Sequence, residues 1–150
     1  MIGIFRDRQV RMHRIRSAVL LPILFGVAIV CAAAPAAYAD ISITYIADSA
    51  VTLQWRAPGD DSTVGTAALY DIRYSTSTIT AANWNTCTQV SNEPTPLAAG
   101  TQQSYTVQGL SSGTKYYFAL KTADEIPNWS VLSNVVSATT TGGSDPQQDE

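Results

Sequence analysis

Apolar and polar residues alternate in short runs from Ile41 to Thr139, and no stretch of ten residues carries a 3.6-residue apolar period. A period of two sends successive side chains to opposite faces of an extended chain, so each run predicts a half-buried β-strand. Val51, Leu53 and Trp55 share one face, with Thr52, Gln54 and Arg56 on the other. Tyr70, Ile72 and Tyr74 share a face of the next run, with Asp71 and Arg73 directed outward. Tyr105 and Val107 open another, and Tyr116, Phe118 and Leu120 line one more, opposite Lys115, Tyr117 and Lys121. Ile41, Ile43 and Ile46 make a first strand whose change of phase predicts a bulge. Asn85–Val90 and Asn134–Thr139 supply the remaining two, and Pro58-Gly59-Asp60-Asp61 and Gly109-Leu110 punctuate the series. Short strands at this spacing predict an all-β sandwich or barrel.

Outside this region the texture changes. Arg6, Arg8, Arg11, Arg14 and Arg16 precede a 17-residue uncharged run, Ala18–Ala34, which is followed by Ala37-Tyr38-Ala39. Basic, apolar and small-residue regions in that order predict a cleavable export signal over residues 1–39, cut between Ala39 and Asp40. A retained membrane anchor is the rival reading, but the run is short of the ~20 residues a spanning helix needs. Pro22 and Gly26 also interrupt it. A lipoprotein reading would need a small residue before Cys31, where Val30 stands. At the other end, residues 141–150 carry no apolar side chain to bury and predict a disordered acidic tail.

Removing the leader leaves four strong cations against eleven acids, a net charge of −7. Such a surface repels phosphate backbones, which argues against a nucleic-acid partner. It also removes His13, the one histidine, and Cys31, so that Cys87 stands without an internal disulfide partner. Histidine-based nucleophilic catalysis and histidine zinc sites are thereby excluded from the exported form. No glycine-rich phosphate loop opens a helix, and no cofactor is expected. The bland reading of Cys87 is a half-buried small residue on the strand after the third; the functional one is a reactive thiol.

The spacings resemble those of the fibronectin type III domain over Ile41 to about Thr140. Val51-x-Leu53-x-Trp55-x-x-Pro58 is similar to that family's second strand, and Tyr70-x-Ile72-x-Tyr74 to its third. Leu110-Ser111-Ser112-Gly113-Thr114-Lys115-Tyr116 resembles its tyrosine corner, with Ser112 where the family often has proline. The resemblance implies a seven-stranded immunoglobulin-like β-sandwich of fibronectin type III topology over residues 40–140. It implies a joint core of Trp55, Tyr70, Ile72, Leu110, Tyr116 and Phe118. It also implies that loops 57–68 and 123–130 meet at one pole. Asp60, Asp61, Asp124 and Glu125 would then approach one another as a candidate calcium site, unless the aspartates cap their own turns.

Trp129-Ser130-Val131-Leu132-Ser133 resembles a degenerate form of the WSxWS motif of cytokine-receptor type III domains. The resemblance implies Lys121 as the cation–π partner of Trp129, but the motif's second tryptophan is absent and the plain reading is a bulged last strand. Trp129 is the candidate binding residue through its place at the loop pole. The expected function is a non-catalytic interaction module, secreted or periplasmic, for an extracytoplasmic protein or glycan. It would keep no membrane anchor after cleavage. The alternative is a structural spacer, or a piece of a larger hydrolase- or adhesin-like exported protein. N-terminal sequencing of the exported product is expected to begin at Asp40. A product that keeps residues 18–34 in the membrane would overturn the cleavage.

Overall fold

The computed structural model describes residues 39–60 and 64–143. Most of the expected leader and tail therefore lies outside the described residues. Seven strands follow in order: β1 Ile41–Ile46, β2 Ala50–Arg56, β3 Leu69–Ser75, β4 Thr88–Gln89, β5 Gln102–Gln108, β6 Lys115–Ala123 and β7 Val136–Thr139. They form two antiparallel sheets, β1-β2-β5 and β4-β3-β6-β7. The change of phase in β1 is a register shift between Ile43 and Tyr45 against β2.

The inner faces of the two sheets meet in one core. Val51, Leu53 and Trp55 from β2 face Tyr70 and Ile72 from β3, with Tyr116, Phe118 and Leu120 from β6. Trp55 is only 2% exposed and meets Tyr70 edge-on, with ring centroids 5.3 Å apart. The Tyr70 hydroxyl donates to Gln103 Oε1 at 2.7 Å, so the aromatic pair bridges the sheets and ends in a satisfied polar contact. Ala39, the last residue of the expected leader, is also buried in this core.

The corner between β5 and β6 is built by hydrogen bonds. The backbone N–H of Ser111 donates to Tyr116 Oη at 3.1 Å, while Leu110 N–H reaches across to Ser49 O. Gly113 turns the chain with φ +60°, a left-handed value that a side chain would strain. Thr140 Oγ1 accepts from Thr114 N and donates to Ser111 O, fastening the last strand to the corner. Thr141 continues the clamp: its N–H donates to Ala47 O, and its carbonyl accepts from Gly113 N. Thr141, the first residue of the expected tail, is thus hydrogen-bonded to the domain.

The alternation pattern is corrected on the outer face of the four-stranded sheet. Asp71 and Arg73 do leave the central core, but they are not presented to water. Asp71 is buried, and residues 76–87 fold across this face to form a second cluster of Ile79, Trp84, Cys87 and Ala119. Arg73 grips the Asp71 carboxylate with two bonds, Nε–Oδ1 2.9 Å and Nη2–Oδ2 3.0 Å. Its guanidinium lies 5.0 Å from the Trp84 ring centroid, and Nη1 donates to Trp84 O. Lys121 Nζ lies at the same distance from that ring. Cys87 is likewise corrected: it closes a single 3-10 turn at Trp84–Thr86, just ahead of β4, with its thiol donating to Asn83 O.

Both aromatic anchors should be sensitive to truncation. Trp55→Ala is expected to cost about 3–5 kcal/mol, the range for large aromatic deletions in cores. Trp84→Ala should approach that range, and a double-mutant cycle with Arg73 should give about 0.5–2 kcal/mol of coupling. Urea unfolding measures both. A loss below 1 kcal/mol at Trp55 would show that the inner face is wrongly assigned.

Candidate binding site at the loop pole

The pole is set by the end of the β3–β6 ladder. Leu69 pairs with Ala123, and the Ala68 N–H donates to Ala123 O at 2.8 Å. This joins the end of the β2–β3 loop to the start of the segment that follows β6. Ala123 also forms an isolated antiparallel bridge with Trp129. Residues paired across antiparallel strands point to the same side, so Leu69, Ala123 and Trp129 form one row on the outer face. Leu69 is 52% exposed and Trp129 43%, whereas Ala123 between them is fully buried. Ile126, at 75%, and Val64, at 68%, belong to the two loops of the same pole.

Trp129 is exposed on a stiff turn. The Asp124 carboxylate accepts from the Asn128 backbone N–H at 2.9 Å and from its Nδ2 at 2.8 Å. On the other side of Trp129, the Ser130 N–H donates to Thr122 O, and Ser130 Oγ accepts from Thr122 N. Ser133 repeats that exchange with Leu120, its N–H donating to Leu120 O and its Oγ accepting from Leu120 N. Asn134 then bonds both backbone groups of Ile41, linking this edge to β1. Side chains thus supply the partners that a regular ladder would take from backbone.

Asp124 is committed to Asn128, and those hydrogen bonds hold its carboxyl below the usual range. Asp60 turns into its own loop against Gly65, where a Cβ would collide with it. Glu125 is exposed, and Asp61 lies outside the described residues. Among the described residues no group of three or more His, Cys, Asp and Glu is arranged to hold a metal ion. Lys121 stacks on Trp84 instead of Trp129, because the 76–87 segment occupies the face above it.

Leu69, Val64 and Ile126 were not marked by the sequence. Leu69 is out of phase with Tyr70 and Ile72, and the other two sit in loops. An apolar residue opposite the buried phase of a strand was the available signal. Elsewhere a groove of about 440 Å³ opens between β4 and β5, spanned by the bond from Tyr105 Oη to Ser91 O.

The family model of the fibronectin type III domain matches residues 33–139. The chain belongs to that family. Chitinase C of Streptomyces lividans is 30% identical over 113 residues, covering 75% of this chain but 15% of the chitinase. The sixth fibronectin type III domain of human fibronectin type III domain containing protein 3 superimposes with a TM-score of 0.51 at 18% identity, covering 77% of this chain and 94% of that one. The fibronectin type III domain from human KIAA0970 protein gives 0.51 at 14% identity, with 78% and 80% covered. The two solved structures share the fold.

The lowered Asp124 pKa sets the sign of the clasp's pH response. Its contribution is fully present above the ordinary aspartate value of about 3.9 and is lost as pH falls through the lower, folded value. The Asn128 amide resonance should therefore hold steady from pH 8 to 5 and move only in stronger acid. Movement centred between pH 5 and 7 would show that the clasp is absent.

Proposed function

We propose that this fibronectin type III chain is an exported, non-catalytic accessory module that meets a polysaccharide outside the cytoplasm. The observation that carries the reading is the row of exposed Leu69 and Trp129 either side of Ala123, with exposed Val64 and Ile126 in the two loops of the same pole. Isolated surface apolar residues are ordinary, but several together on one end favour contact with a partner over an inert spacer. The chitinase relative supports the polysaccharide class, and the short span of that relative which the chain covers supports a module-sized role. The leader pattern in residues 1–39 supports export. The absence of histidine from the exported form fits a role without histidine-based catalysis.

The two ends of the sandwich suit this role. β7 runs back from the pole, and the chain reaches Thr141 beside Ala47 and Gly113, at the opposite end. A domain joined after the Gly142-Gly143 segment would leave the apolar pole uncovered. The exported full chain should be retained on insoluble chitin while releasing no soluble sugar from it. Absence of retention on chitin and on cellulose would favour the spacer reading instead. Release of soluble sugar would overturn the non-catalytic assignment.

A further inference from the structure

We infer that Trp129 and Leu69 form a stacking platform for an uncharged sugar ring, and that Asp124 is the residue that positions Trp129 for it. The inference rests on the reading that the module meets a polysaccharide, and it names the surface that does so.

Geometry carries the platform. The Leu69–Ala123–Trp129 row spans two strand spacings, about 10 Å, with two exposed apolar side chains either side of a buried alanine. A pyranose ring offers a flat C–H face to an indole and keeps its hydroxyls at the rim. Preorganisation makes the surface more than an exposed tryptophan. Asn128 is pinned by Asp124 and Ser130 by Thr122, so the residue between them loses little backbone freedom on binding.

Electrostatics select the ligand class. The four cations beyond the leader are all engaged elsewhere. Arg73 and Lys121 lie over Trp84, Lys115 lies over Tyr117, and Arg56 donates to Gly100 O. The pole itself carries Asp124 and Glu125. Phosphates, sulfated glycans and anionic membranes are therefore repelled, whereas the hydroxyls of a neutral glycan have the exposed Glu125 carboxylate as an acceptor in the same turn as the apolar row.

The test is titration of the full exported chain with the hexamers of N-acetylglucosamine and of glucose, followed by tryptophan fluorescence. Trp55 and Trp84 are buried, so quenching by acrylamide reports chiefly on Trp129. Trp129→Ala should weaken binding of one hexamer at least 10-fold without a large change in melting temperature, and Trp129→Phe should restore most of it. Leu69→Ala should weaken it about 3-fold. Asp124→Ala should weaken it about 3- to 10-fold and make Trp129 easier to quench. In the Trp129→Ala background, Asp124→Ala should change affinity no further, which separates positioning from a general loss of structure. Unchanged affinity in Trp129→Ala would overturn the platform while leaving the module reading intact. Failure of the unaltered chain to bind either hexamer or insoluble chitin would overturn both. Trp129-dependent binding to anionic lipid vesicles in place of sugar would also overturn it.

Discussion

Everything in this sandwich depends on the wedge that Trp55 and Tyr70 drive between two sheets with no covalent link. The only cysteine among the described residues, Cys87, is unpaired and lies on the far side of the four-stranded sheet, so the sheets are held by apolar burial and a few hydrogen bonds without a disulfide. The edge-on ring contact and the Tyr70–Gln103 bond fix the separation and the relative placement of β2 and β3 together. From that placement follow the corner at Tyr116, the register of β3 against β6, and hence the residue at which their ladder ends. The pole is a consequence of the core.

The outer layer over β3 and β6 has a second effect beyond packing. By drawing Arg73 and Lys121 onto one indole, it removes half of the cations beyond the leader from the free surface. The acidic character of the module is therefore sharper in space than its net charge suggests. Buried, paired and stacked cations are screened less by salt than exposed ones, which makes this arrangement stable across solution conditions. What remains open to partners is an apolar row with acids near it, a surface unsuited to polyanions.

The inner faces were legible because alternation depends only on neighbours along the strand. Val51, Leu53 and Trp55 follow from the pleat, and the corner follows from the spacing of Leu110, Gly113 and Tyr116. The outer layer was not legible, because Trp84 lies in a stretch without period and reaches Arg73 and Lys121 only through tertiary contact. Exposure of Leu69 was equally hidden: its phase says outward, but only the end of the ladder leaves it uncovered. The acids at the pole were read two ways, as a shared site or as turn caps. For Asp124 the local bond to Asn128, four residues on, is the one present. The common pole of the two loops followed from the resemblance, whereas the expected gathering of their acids into one site did not.

The edge formed by residues 129–134 changes how tolerance to substitution is distributed. Ser130 and Ser133 fill hydrogen-bonding roles toward buried amides of β6, and Asn134 does so toward β1, in a stretch whose composition reads as an ordinary loop. Removing such a hydroxyl strands an amide away from water, a penalty of the same order as losing a core methyl group. Substitution should accordingly be tolerated poorly at Ser130, Ser133 and Asn134 and well at Val131, the exposed apolar residue between the two serines. A hydropathy-weighted estimate of which sites matter would invert that order here.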